Sequence, residues 1–111
     1  MEYNVNNVQH TRDVDMGVST QEQTGLLARF LKEKRVLSGL SQKDVAEKLG
    51  YSTSQFISNW ERGISHPPLN TLRSLSELYK INPEEMFDVL LKATIAQVEI
   101  DLKKKFYSAG A

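Results

Sequence analysis

Residues Ser41 to Gly63, SQKDVAEKLGYSTSQFISNWERG, hold two short amphipathic stretches separated by a glycine and a run of hydroxyl side chains. In the second stretch Phe56, Ile57 and Trp60 fall on one side of a helix, while Ser54, Gln55, Ser58, Asn59 and Arg62 fall on the other. One face is built to pack and the other to read. Amides, hydroxyls and a guanidinium can hydrogen-bond base edges and phosphates, and an Asn or Gln amide can grip adenine in a bidentate way. The pattern points to double-stranded DNA.

The flanking residues fit helices around this centre. Ser41 is expected to cap the first stretch, with Asp44 in the place of the capping-box acid and Val45, Ala46 and Leu49 turned inward. Ala46 is small where two helices must approach, and Gly50 sits where the chain must reverse, as a helix-turn-helix requires. Ser52 or Thr53 is expected to cap the next helix, over residues 53–62. Upstream, the spacing predicts a helix from Thr24 or Gly25 to Leu37, with Leu27, Phe30, Leu31 and Lys34 or Arg35 inward and Gly39 closing it. Downstream, Pro67 and Pro68 impose a loop from Ile64, followed by a helix from Leu69 to Tyr79 that buries Leu69, Leu72, Leu75 and Leu78. Asn82, Pro83, Glu84 and Glu85 then mark another N-terminus, with cap, first-turn proline and acids at the positive end of the dipole. An ordinary helical core with a polar surface would share parts of this pattern, but not the divided face combined with the turn residues.

A formal net charge of zero over 111 residues argues against DNA only if the charge is evenly spread. It is not: residues 1–24, 25–83 and 84–111 carry −3, +4 and −1. Phosphates feel the local potential, because salt screens charge beyond about 10 Å. The length supports one small core rather than two. No cysteine is present, and His10 and His66 are too far apart to read as a ligand pair, so no metal or other cofactor is expected. No apolar run approaches the roughly 20 residues that span a bilayer, and the N-terminus lacks a secretory pattern, so the expected location is the cytoplasm. His66 has serines and acids nearby but no nucleophile elbow, phosphate loop or positioned partner, and an enzyme is not expected.

The ends differ from the centre. Residues 1–23 are rich in Asn, Gln, Thr and Asp with no sustained period, and are expected to form a flexible tail. An arm along DNA would be opposed by their negative charge; an arm for another partner stays open. From Glu84 to about Tyr107 there is no Pro or Gly, and Phe87, Leu91, Ile95, Val98, Leu102 and Phe106 recur at three or four residues. Such a stripe must be covered, either by its own domain or by a second copy. The second alternative assigns Leu91, Ile95, Val98, Leu102 and Phe106 to dimerisation and predicts a pseudo-palindromic DNA site.

Residues Leu31 to Leu90 resemble the lambda-repressor and Cro-like helix-turn-helix family, often called the XRE family. The resemblance rests on Gly39-Leu40-Ser41-Gln42, Val45-Ala46 with Leu49-Gly50, Ile57-Ser58, Glu61-Arg62-Gly63 and the helix from Pro67 to Leu78. It implies an all-α, five-helix domain that binds operator-like DNA, usually as a dimer, to regulate transcription, a repressor being the expectation. The resulting organisation is a tail over 1–23, the DNA-binding domain over 24–90 and a C-terminal helix extension over 91–111. By the same resemblance, Ser54, Gln55 and Asn59 would face bases with Ser58 beside them, Gln42 would contact a phosphate and brace the recognition helix, and Arg62, Ser65 and His66 would lie near the DNA backbone; Lys43 is a further expected phosphate contact. Arg35 would pair with Glu61 as a structural ion pair, which an arginine on an inward stripe also needs on its own account. From Gly50 to Glu61 the chain is one residue longer than the commonest family pattern, so helix three is aligned backward from Glu61. The alternative from another class is a protein-interaction module of the same fold, such as an antitoxin or anti-repressor.

Overall fold

The computed structural model describes residues 23–108, so the tail expected over 1–23 lies outside the described residues except for Gln23. Five helices follow in order: α1 (Leu26–Leu37), α2 (Gln42–Leu49), α3 (Gln55–Glu61), α4 (Leu69–Leu78) and α5 (Pro83–Ser108). No strand occurs among the described residues, and the fold is all-α. No described helix is long and apolar enough to cross a membrane.

Local chemistry accounts for the helix ends. The Ser41 hydroxyl accepts from the Asp44 N–H at 2.9 Å, and the Asp44 carboxylate accepts from the Ser41 N–H at 2.9 Å, so a capping box forms despite the short acid. The Ser41 N–H, and after it the Ser41 side chain, hold the Asp44 carboxyl below the usual carboxylate range. At Gly50 φ is +85°, which lets the Tyr51 N–H turn back onto the Ala46 carbonyl at 2.8 Å. The chain closes α4 the same way, with the Ile81 N–H on the Ser76 carbonyl at 2.8 Å, but there the left-handed residue is Lys80, at φ +58°. Asn82 starts α5, its Oδ1 accepting from the Glu84 N–H at 2.7 Å.

Leu27, Phe30 and Leu31 of α1 meet Val45 and Ala46, Ile57 and Trp60, Leu72 and Leu75 in one core that Tyr79, Ile81 and Met86 close from below. α1 lies at its centre, packed against both α3 and α5, while α2 supports α3 and α4 supports α5. The α5 helix runs unbroken past residue 90, and its small Ala93 and Ala96 are buried. Close packing of α5 thus continues beyond the expected boundary at 90/91.

Three expectations fail in detail. Leu69 is 68% exposed rather than buried, because as the first residue of α4 it sits on the rim of an open apolar cleft between α4 and α5 rather than inside the core; Leu78 is half-buried. Phe56, assigned above to the packing side, is 49% exposed. The inward arc of α3 is only wide enough for Ile57 and Trp60, so the Phe56 ring rests instead against Tyr51, with centroids 5.0 Å apart. Finally, α3 begins at Gln55 rather than near residue 53, so residues 51–54 all belong to the turn. Thr53 Oγ1 accepts from the Gln55 N–H at 3.2 Å, while Ser54 occupies the cap position without a side-chain bond.

Candidate nucleic-acid interface

Glu61, at the last turn of α3, collects donors from two other helices. Arg35 Nε donates to Glu61 Oε2 at 2.7 Å and Arg35 Nη2 to Oε1 at 3.1 Å, a two-pronged pair whose side chains are 12% and 3% exposed. Arg35 Nη1 also donates to the Leu40 carbonyl at 2.8 Å, which ties down the loop before α2. Gln42 Nε2, from the first turn of α2, donates to Glu61 Oε1 at 2.9 Å. The end of α1, the start of α2 and the end of α3 are thereby clamped at one carboxylate. Its presence holds the Arg35 guanidinium even more firmly charged than usual, the hydrogen bond outweighing the cost of burial. Of the two inward candidates on α1, it is Arg35 that turns in. Lys34 lies over the Phe30 ring at 5.4 Å and reaches Glu85 at 3.6 Å.

The outer side of α3 carries a second network. Gln55 Nε2 donates to Asn59 Oδ1 at 2.9 Å, and Arg62 Nη2 donates to the same oxygen at 3.0 Å. Both lone pairs of the Asn59 carbonyl are therefore engaged, and a two-bond grip on adenine by Asn59 requires Gln55 or Arg62 to let go. Gln55 keeps its Oε1 and a second amide proton for a base edge. Gln55 and Arg62 are exposed, whereas Ser54, Ser58 and Asn59 are half-buried at the rim. Lys43, Ser65 and His66 are exposed, His66 on the rim of a cleft lined by Leu27, Leu90, Ala93 and Val98, and the half-buried Gln42 has one amide proton left beside its bond to Glu61.

Gln42, implied by the resemblance both to contact a phosphate and to brace the recognition helix, does hold α3 through its bond to Glu61. One feature escaped the sequence reading. Tyr51 was not singled out, but its ring lies 5.0 Å from Phe56 and 5.9 Å edge-on from Trp60, bracing the turn. An aromatic directly after the turn glycine was the available signal. Among the described residues no cluster of three or more His, Asp or Glu side chains is arranged to hold a metal ion.

Comparison with known proteins gives two matches of consequence. Residues 31–86 match the helix-turn-helix family. The HTH-type transcriptional regulator ImmR of Bacillus subtilis (strain 168) is 40% identical over 58 residues, which are 52% of this chain and 45% of that protein. The chain thus spans less than half the length of that relative. No solved structure matches.

Proposed function

The chain belongs to the helix-turn-helix family of the lambda-repressor and Cro-like, or XRE, type, and we propose that it is a sequence-specific DNA-binding transcriptional repressor. α3 enters the major groove, where Gln55, Asn59 and the flanking Ser54 and Ser58 meet base edges. Gln42, Lys43, Arg62, Ser65 and His66 hold phosphates on either side and set the register. The observation that carries this reading is the Glu61 clamp. It holds α3 rigidly against α1 and α2 while leaving an outer row of amides for recognition, the preorganisation that base reading needs.

The chain acts as a homodimer paired through the exposed stripe of α5, on a pseudo-palindromic operator with half-sites roughly 34 Å apart. The match to a transcriptional regulator supports the reading over its central part. Selection of binding sites from random duplex DNA at moderate salt tests it: an enriched inverted repeat is expected. Affinity for the selected site should fall with salt at a log–log slope of about −0.9 per phosphate contacted. No enrichment and a flat salt response would overturn it in favour of a protein-binding module of the same fold.

A further inference from the structure

We propose that the exposed face of α5 is an antiparallel seam whose occupant is a second copy of this chain. The inference deepens the homodimer reading above by giving its polarity and register. Phe87, Leu91, Ile95, Val98, Leu102 and Phe106 are 43% to 74% exposed, on the opposite side of the helix from the buried Met86, Ala93 and Ala96. Their spacings are 4, 4, 3, 4 and 4, the same from either end. Reflected about the point between Ala96 and Gln97, Phe87 falls on Phe106, Leu91 on Leu102 and Ile95 on Val98. A two-fold axis across the helix at that point sets ring beside ring, leucine beside leucine and β-branched beside β-branched. The five spacings average 3.8 residues per turn against about 3.6 for a straight helix, so the stripe winds slowly around α5 and the two helices follow it by crossing in a right-handed sense.

The flanking charges choose the direction. Asp88, Lys92, Glu99 and Lys103 share one flank of the stripe, joined within the chain as Lys92–Asp88 at 3.2 Å and Lys103–Glu99 at 2.9 Å. In an antiparallel pair this flank meets its own copy in reverse order. A row alternating acid, base, acid, base then faces base, acid, base, acid: Asp88 beside Lys103 of the second copy and Lys92 beside Glu99. In a parallel pair the flank would instead meet the other one, which bears Asp101 and Lys105, setting acid against acid at 99 and 101 and base against base at 103 and 105. The buried Met86, Ala93 and Ala96 turn toward the domain, with Phe87 and Val98 bordering it, and the remaining stripe residues are left exposed for the second copy.

Cysteine cross-linking of the full chain tests polarity, because the protein has no cysteine of its own. Asp88→Cys and Lys103→Cys chains, mixed in equal amounts and treated with a short bis-maleimide, should join 88 to 103 between chains. Lys103→Cys alone should not join to itself, since antiparallel copies hold those positions about 20 Å apart along the axis at 1.5 Å per residue. Self-linking at 103, a dimer that forms neither product, or a chain that sediments as a monomer at micromolar concentration would overturn the seam. Site selection on the same protein separates the two readings. A dimer linked in parallel that still enriches a DNA site loses only the seam, and a chain linked 88 to 103 that enriches none loses only the DNA reading.

Discussion

Asn59 shows how one side chain can hold specificity in reserve. Its carbonyl oxygen is occupied by Gln55 and Arg62, so contact with a base exchanges internal bonds for external ones. Asn59→Ala should cost about 1–3 kcal/mol of discrimination at one base position per half-site, with little change on random DNA. Arg62→Ala should instead weaken binding to every sequence and flatten the salt slope by about one phosphate. Titrations on a selected site and its single-base variants distinguish the two. Arg35 sits at the other extreme, with no path to the groove. Arg35→Ala leaves Glu61 buried without its main counter-charge and should lower stability by about 3–5 kcal/mol. Arg35→Lys should recover only part of this, because an ammonium cannot make the two-pronged contact. Thermal melts and DNA affinity measured well below the melting point check both; a variant that melts normally but no longer binds would place Arg35 at the interface.

Helix ends supply the next tests. Lys80 adopts a left-handed conformation where α2, in the equivalent closure, uses Gly50. A left-handed L-residue costs about 1–2 kcal/mol, part of which glycine returns as unfolded-state entropy, so Lys80→Gly should stabilise the fold by about 0.5–1 kcal/mol. Gly50→Ala should do the reverse, although open space surrounds the position, because the strain lies in φ alone. The α2 cap responds to acid. With its folded-state pKa depressed, Asp44 contributes stability that is present above the ordinary carboxylate value and is lost as pH falls through the lowered one. Asp44→Asn should therefore flatten the acid limb of stability against pH, read by melting temperature across that range.

In the protein as a whole, α5 divides into a buried part and an exposed part. Ala93 and Ala96 belong to the packed domain and Val98 borders it beside Leu27 and His66, whereas Leu102 and Phe106 are largely exposed. A chain cut after Gln97 should keep the core contacts and sediment as a folded monomer that binds a single half-site weakly. A cut after Lys92 should melt at lower temperature, since it also removes the two buried alanines. If the chain cut after Gln97 remained a dimer, α5 would not be the interface.

Helix number, the capping box at Ser41 and Asp44, the Gly50 turn and the inward stripe of α1 were legible in the sequence, because each depends on residues within one or two helical turns. The divided face of α3 was legible for the same reason. What lay beyond reach depended on which element sits opposite. Leu69 and Leu72 share one periodic stripe, yet Leu72 is enclosed while Leu69 stays on the rim of the cleft between α4 and α5, and Phe56 stays out of the core against Tyr51. That Gln42 braces the recognition helix was implied by the resemblance; folding decided the partner, Glu61 at 2.9 Å. Periodicity states which face of a helix is apolar; the tertiary structure decides how much of that face finds a neighbour, because burial belongs to pairs of elements and not to either alone.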